Sequence, residues 1–268
     1  MEYSWLGSNQ PGLDEVRVTC HSNIIVGRYG GNVSSGANKN EDGLMLIQSL
    51  NHLWSFAVLL DAHHTAESAE LILEMLNNHK ESLVNLLDSE DVFTGLEAYF
   101  VDLFTSEDFK KACRETTGEA SCLIVFQKNQ YIWWFSVGDC MALLLHPELA
   151  RLGQYGLNQR QFYEWIGQVN TFELPVPGYT VGRRQLRPGR NYIVLMTDGV
   201  LDSADKFYQN PAHLYASLVN GRELEENVNF IFEHLHEHKT KDSATMICWI
   251  YHNKAEGLIP SDQPKSLD

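Results

Sequence analysis

The chain has 268 residues, 44% of them hydrophobic, with 35 acidic against 20 basic side chains and a formal net charge of −15. This length and apolar content suffice for one large domain with a buried core, and the acidic balance argues against nucleic acid or an anionic membrane surface as partner. The five cysteines form no CxxC pair, which indicates reduced thiols. No signal-peptide pattern opens the chain, and no apolar run approaches the roughly 20 residues of a membrane span, so we expect a cytoplasmic protein.

The first half of the chain predicts strands followed by two helices. Residues 1–15 have no clear periodicity and are interpreted as a lead-in. Alternating or continuous apolar runs predict strands, and apolar residues at helical spacing predict helices. The predicted strands cover residues 16–26, 44–48 and 53–60, the last two forming a hairpin, and the predicted helices cover residues 69–87 and 92–114.

The second half repeats this order. Strands are predicted at 120–126, 131–137, 141–145, 179–186, 191–197 and 244–251, and helices at 212–219 and 223–237. The turn Arg187-Pro188-Gly189-Arg190 predicts that the strands on either side of it pair with each other. Residues 147–177 are irregular, with a short helix expected around 159–165, and we interpret them as a flap-like excursion. Residues 254–268 are interpreted as a polar tail. Sheets covered by helix pairs indicate a layered α+β sandwich, formed by a single domain over 16–253.

Acidic residues follow three of the predicted buried strands. Asp61 follows Phe56–Leu60, Asp139 follows Trp133–Val137 after one glycine, and Asp198 follows Ile193–Thr197. A carboxylate held there is costly to desolvate, and a cation or a polar partner must offset that cost.

Further acids occupy tight loops or strand ends, namely Glu41, Asp42, Asp202 and Asp242. Carboxylate oxygens suit Mg²⁺ or Mn²⁺ rather than zinc or copper. Two such ions about 3.5–4 Å apart would bind a phosphate and activate a water for in-line hydrolysis. The alternative for each acid is an ordinary solvated loop or cap residue.

Five short motifs carry a family resemblance. They are Asn40-Glu41-Asp42, Leu60-Asp61-Ala62-His63-His64, Val137-Gly138-Asp139, Thr197-Asp198-Gly199 with Asp202, and Lys241-Asp242-Ser243-Ala244-Thr245. In this order they resemble the NED, DGH, VGD, DG…D and DN-type motifs of the metal-dependent protein serine/threonine phosphatases (the PPM, or type 2C, family). The resemblance covers about residues 30–250, and within the family the sequence is similar to a divergent, bacterial-like member. It implies a four-layer α/β/β/α sandwich of two mostly antiparallel sheets flanked by helix pairs.

The resemblance also implies roles for individual residues. Asp61 would bridge two Mn²⁺ or Mg²⁺ ions, Asp198 and Asp242 would complete the first site, and the carbonyl of Ala62 would serve the second. Glu41 and Asp42 would hold metal-bound water, directly or through hydrogen bonds, and Asp202 would bind a weaker third ion. His63 would be the general acid for the leaving alkoxide.

The sequence departs from the family pattern at several positions. The arginine that clamps the substrate phosphate in the family is replaced by Ala37, so positive charge would have to come from Lys39 or Arg28. Ala62 replaces a glycine. The acid that would share the third ion with Asp202 is expected near Thr116, where Glu115 or Glu119 would substitute.

A histidine cluster lies at the end of the last predicted helix. His234, His236 and His238 are spaced by two, which does not place all three on one helical face. A solvated helix end is therefore favoured here over a zinc site.

The sequence as a whole predicts a metal-dependent phosphatase acting on phosphoserine or phosphothreonine in proteins, or on a related phosphomonoester. The rival hypothesis is a phosphatase-like regulatory or binding module without strong activity. Ala37 favours the rival. The set Asp61, Asp198 and Asp242 favours the enzyme, since a scaffold has little need for clustered, mutually repelling carboxylates.

Overall fold

The structure is a computed structural model and describes residues 1–259 and residue 261. The predicted tail, 254–268, lies in part outside these residues. No helix in the described part of the chain has both the length and the apolar character needed to cross a membrane.

The described residues form strands in two antiparallel sheets. In chain order the strands are β1 (Glu2–Leu6), β2 (Val16–His21), β3 (Ile24–Tyr29), β4 (Asp42–Gln48), β5 (Trp54–His63), β6 (Glu119–Lys128), β7 (Tyr131–Val137), β8 (Met141–Leu145), β9 (Ile166–Gly167), β10 (Thr180–Gln185), β11 (Gly189–Met196) and β12 (Ala244–Asn253). The first sheet has the order β1-β4-β5-β6-β7-β10, with the short β9 paired to β6. The second has the order β2-β3-β12-β11-β8.

The α-helices of the described residues are α1 (Glu67–Asn78), α2 (Lys80–Asp88), α3 (Val92–Thr105), α4 (Glu107–Glu115), α5 (Pro147–Ala150), α6 (Asp198–Leu201), α7 (Pro211–Leu218) and α8 (Leu224–Glu237). The longer ones cover the outer faces of the sheets. Helices α1 to α4 pack on the first sheet, and α7 and α8 pack on the second.

Alternation along the strands produces three apolar layers. In β5, Val58 and Leu60 face the first helix layer, whereas Ala57 and Leu59 face the second sheet. The layer between the sheets is closed from the other side by residues such as Ile193 and Ile247. The predicted α+β sandwich, with two antiparallel sheets between helix layers, is therefore confirmed.

Several element boundaries differ from the prediction. Residues 2–6, expected in a lead-in, form the edge strand β1, because Trp5 and Leu6 are buried against β4. The strand expected over 16–26 is a hairpin that turns at Ser22, whose φ is +61°. Each long helix expected on the first sheet is two helices, which break at His79 and at Ser106.

Two predictions in the second half are wrong. The helix expected at 159–165 is absent from this described segment, and a one-turn helix, α5, lies earlier instead. Strands β10 and β11 do not pair with each other: β10 pairs with β7 and β11 pairs with β8 and β12. The turn at 187–190 thus connects the two sheets, since a turn sequence specifies a reversal but not the partner strand.

The strand register brings acids from distant motifs to one end of the sandwich. Asp42 lies directly opposite Asp61 in the β4–β5 pair, and Asp61 lies opposite Ser121 in the β5–β6 pair. In the second sheet β11 ends at Met196, paired with Met246 of β12, so Asp198 and Asp242 lie just beyond the same end.

Candidate active site

The acid cluster contains carboxylate oxygens that are buried and have no protein partner. Asp61 is 6% exposed and Asp139 is 3% exposed. One oxygen of Asp61, one of Asp139 and one of Glu41 are each buried without a hydrogen-bond partner in the described residues. A buried carboxylate oxygen without a donor is costly, so this cluster is suited to a cation.

Asp42 has a different role from its neighbour Asp61. It is fully buried, and its oxygens accept hydrogen bonds from the hydroxyls of Ser243 at 2.9 Å, Thr245 at 2.5 Å and Thr197 at 3.4 Å. Thr245 belongs to the second sheet and Asp42 to the first. Asp42 therefore ties the two sheets together beneath the cluster, and three hydroxyls already donate to its oxygens.

Burial and mutual repulsion raise the pKa values of the central carboxyls. Burial, followed by the charges of Asp42 and Asp198, raises the pKa of Asp61 well above its ordinary value. Burial raises the pKa of Asp42 to about 7, against hydrogen bonds that lower it, and burial with the charge of Asp139 raises the pKa of Asp198 to about 6. The metal-free cluster therefore favours protons over full ionisation near neutrality.

This leads to a prediction for pH dependence. In the unfolded chain these carboxyls titrate near 3.8, so between that value and about 7 the folded protein retains protons that the unfolded chain has lost. Their contribution to stability is complete below about pH 4 and is lost as the pH rises through about 6 to 7. We expect the metal-free protein in EDTA to lose stability between pH 5.5 and 7.5 more steeply than its Asp61→Asn variant, measured by urea unfolding. Equal slopes for the two proteins would contradict this.

Arg160 of the excursion lies among a second group of acids. Its guanidinium donates to Asp139 at 3.2 Å, to Asp198 at 3.2 Å and to Asp202 at 2.9 Å. Hydrogen bonds from Arg160 and Gln209 outweigh burial and lower the pKa of Asp202. One tethered cation thus neutralises part of the charge of three carboxylates.

Asp139, and not Glu115 or Glu119, shares the Arg160 guanidinium with Asp202. Glu115 ends α4, and Glu119 begins β6 opposite His63, whereas Asp139 shares Arg160 with Asp202. Gly138, at φ +87°, permits this position because a Cβ there would lie 2.6 Å from the Ser121 hydroxyl oxygen. That hydroxyl accepts from the backbone N–H of Asp139. The strand-Gly-Asp pattern was the signal that could have identified Asp139 as a site residue.

A cavity of about 700 Å³ opens over the cluster. Its lining includes Glu41, Asp61, Ala62, His63, Asp202 and Asp242, together with Ala37 at the position where the family has arginine. Three lysines, Lys39, Lys239 and Lys241, also line it. Lys39 contacts a Glu41 oxygen at 2.6 Å and donates to the carbonyl of His64. The cavity therefore combines a carboxylate floor with a cationic rim.

Arg28 lies away from this cavity. It is 7% exposed, donates to the Tyr3 hydroxyl at 2.9 Å and lies over the Trp5 ring. Its position does not support the expected role in substrate binding.

Residues 147–177, the predicted excursion, contact the elements of the site through β9 and through Trp165. Its strand β9 pairs with β6 at Glu119 and Ala120, and Trp165 just before it packs edge-on against His63, with ring centroids 4.7 Å apart. With Arg160, this segment covers one side of the acid cluster.

Comparison with known proteins identifies the fold. Neither the protein-family models nor the curated proteins contain a match to the chain. Among solved structures, a bacterial serine phosphatase matches at 15% identity with a TM-score of 0.66, over 87% of this chain and 99% of its own. The serine/threonine phosphatase Stp1 from Staphylococcus aureus matches at 12% identity and 0.62, over 89% of this chain and 94% of its own. RsbX in complex with magnesium matches at 13% identity and 0.58, over 88% and 100%. At such identities the likeness establishes the fold, and the chain has the fold of the PPM-type serine/threonine phosphatases that its motifs resemble.

Proposed function

We propose that this protein is a metal-dependent phosphatase that hydrolyses phosphoserine and phosphothreonine, or a related phosphomonoester, with two Mn²⁺ or Mg²⁺ ions at the acid cluster. The observation that carries the proposal is the buried, unpartnered oxygen of Asp61, within a set of carboxylates that open on one cavity. An all-oxygen donor set of this kind fits these hard cations.

Several residues of the acid cluster would serve as ligands of the two ions. Asp61, Asp198, Asp242, Glu41 and the Ala62 carbonyl would hold them. When bound, the ions would supply Lewis-acid activation of a water and of the phosphate. Asp42 acts from beneath, where it fixes the relative position of the two sheets and so of Asp61 and Asp198. A weaker third ion at Asp202 would have to displace Arg160 from Asp139, Asp198 and Asp202.

The phosphate of the substrate would bind without the usual arginine. The rim lysines supply positive charge in its place, although Lys39 is already paired with Glu41. Ammonium groups act as point charges and lack the bidentate geometry of a guanidinium. We therefore expect weak substrate binding with intact water activation.

His63 is the proposed general acid, because it lines the cavity and packs against Trp165. A phosphothreonine leaving group needs a proton, whereas p-nitrophenolate leaves without one. We expect His63→Gln to reduce kcat on a phosphothreonine peptide by about 10²–10⁴-fold, and kcat on p-nitrophenyl phosphate much less. The matched control is His64→Asn, since His64 has φ +76°, which asparagine tolerates. Equal losses on both substrates would exclude proton donation by His63.

The direct test of the function is hydrolysis of both substrates with Mn²⁺, Mg²⁺ or EDTA, beside Asp198→Ala. Metal-dependent turnover that the variant lacks supports the proposal. A folded, metal-binding protein with no turnover on either substrate favours the regulatory or binding module instead. Two observations favour that rival: Ala37 in the cavity, and the contact of Arg160 with Asp198, which competes with a metal for the same oxygen.

A further inference from the structure

A second cluster of metal-binding side chains lies outside the acid cluster. It consists of Asp205, in the loop after α6, and His234 and His238 at the C-terminal end of α8. The ligand atoms of the three side chains all lie within 4.8 Å of one another. His234 and His238 are four residues apart and therefore share a face of the helix end, and their rings stack at a centroid distance of 4.1 Å.

The separations are close to those that a metal ion requires. The Nε2 atoms of His234 and His238 lie 2.8 Å and 3.7 Å from the same Asp205 oxygen. Metal–ligand bonds of about 2.0–2.2 Å in a tetrahedral site separate the ligand atoms by about 3.3–3.6 Å. The separations extend to at most 4.8 Å, so rotation of the side chains has to bring the three atoms to that spacing.

Hydrogen bonds already orient two of the three ligands. The other oxygen of Asp205 accepts from the Ser203 hydroxyl at 2.9 Å and from the Phe207 N–H at 3.2 Å. The Nδ1 of His238 lies 2.9 Å from the carbonyl of His234, to which it can only donate, so in the neutral ring the lone pair is on Nε2. Outer contacts of this kind are what fix histidine ligands in metal sites.

Aromatic rings pack against His234, and the three ligand side chains are partly exposed to water. His234 packs against Phe207 and Tyr208 at centroid distances of 5.4 Å and 5.3 Å, which limits its motion. The His234, Asp205 and His238 side chains are 20%, 28% and 41% exposed, so water can fill the remaining coordination position.

We propose that Asp205, His234 and His238 form a binding site for a borderline transition-metal cation, with Zn²⁺ as its natural occupant. Two imidazoles and one carboxylate select such an ion, whereas the all-oxygen cluster selects Mg²⁺ or Mn²⁺. The bound ion ties the loop that follows Asp202 to the end of α8. The alternative is an arrangement without an ion, in which the Nε2 atoms of both histidines share one Asp205 oxygen, and the Zn²⁺ titration separates the two.

The site can be tested without any activity measurement. The full-length protein, stripped with EDTA and returned to excess Mg²⁺ to occupy the oxygen site, is titrated with ZnCl₂ by calorimetry at pH 7.5. Co²⁺ is added to a second sample to read the visible absorption of a nitrogen-ligated ion. We expect one Zn²⁺ per chain, and affinity reduced on the order of 100-fold or more in His234→Gln/His238→Gln.

Two further variants complete the test. His236→Gln is the matched control, since His236 turns towards the Tyr29 hydroxyl instead, and it should bind as the unmodified protein does. The single variant His238→Gln changes a ring that is 41% exposed and lies outside the core, so its loss of affinity reports ligation. Zn²⁺ affinity unchanged by His238→Gln, or no Zn²⁺ binding by the unmodified protein in Mg²⁺, overturns the proposal. Neither result bears on the phosphatase proposal, which uses other residues and other metals.

Discussion

Asp61→Asn should abolish metal-dependent phosphate hydrolysis and, at the same time, make the metal-free protein more stable. The buried Asp61 carboxyl lies opposite Asp42 in the register and has an oxygen without a partner. Without a cation, its negative charge is desolvated and repelled by Asp42 and Asp198. Asparagine keeps the shape and removes this cost, so we expect a gain of about 1–3 kcal/mol in unfolding free energy at pH 7.5 in EDTA.

The measurement pairs urea unfolding in EDTA with turnover in Mn²⁺. Added Mn²⁺ should stabilise the unmodified protein more than the variant, because ligand binding stabilises only the state that binds it. Asp102→Asn is the control, since it removes an exposed carboxyl from the outer helix α3 and should change neither quantity. A variant that is less stable than the unmodified protein in EDTA, or that retains turnover, contradicts the role given to Asp61.

Removing the guanidinium of Arg160, which three carboxylates share, should destabilise the protein, whereas Asp61→Asn should stabilise its metal-free form. Arg160→Met leaves Asp139, Asp198 and Asp202 without their shared guanidinium. Breaking a buried ion pair from one side costs about 3–5 kcal/mol, and we expect about 2–3 kcal/mol here because the Asp202 side chain is 40% exposed to water. The variant should also bind divalent cations more tightly, since the oxygens that Arg160 occupied become available to them.

Urea unfolding with and without Mn²⁺ tests this directly. We expect Mn²⁺ to recover most of the stability that Arg160→Met loses. Arg222→Met serves as the control, because Arg222 is exposed on the loop between α7 and α8. A loss of unfolding free energy no larger than in the control, with unchanged Mn²⁺ affinity, would contradict this. The three contacts of Arg160 would then contribute neither to stability nor to competition with the metal.

The sequence was most informative where a local pattern has a single structural solution. The apolar strand that contains Asp61 and the one that precedes Asp198 lie where they were predicted, although β5 continues to His63, and both acids lie at the same end of the sandwich. The hairpin of β4 and β5 follows from two apolar runs around a short turn. The layered fold follows from the order of these elements.

Features that depend on partners distant in the chain could not be predicted. Nothing near Arg160 in the sequence indicates that it reaches Asp139, Asp198 and Asp202, because that contact depends on the path of an irregular segment. The placement of β10 and β11 in different sheets likewise depends on partner strands that are distant in the chain.

The histidine cluster is a second case in which the sequence did not reveal a contact between distant residues. Spacing showed only that the three histidines do not share one helical face, which favoured a solvated helix end, and it gave no indication of Asp205, which lies 29 residues before His234. A metal site that draws ligands from two elements becomes visible only when the fold brings them together.

The central claim is that the buried carboxylates form a two-metal centre, and the number of bound Mn²⁺ ions tests it most directly. Equilibrium dialysis of the EDTA-stripped His234→Gln/His238→Gln protein removes any contribution from the histidine site. We expect two Mn²⁺ ions per chain, with binding at both positions weakened by Asp61→Asn. Failure to bind Mn²⁺, or a stoichiometry and affinity that Asp61→Asn leaves unchanged, would contradict it.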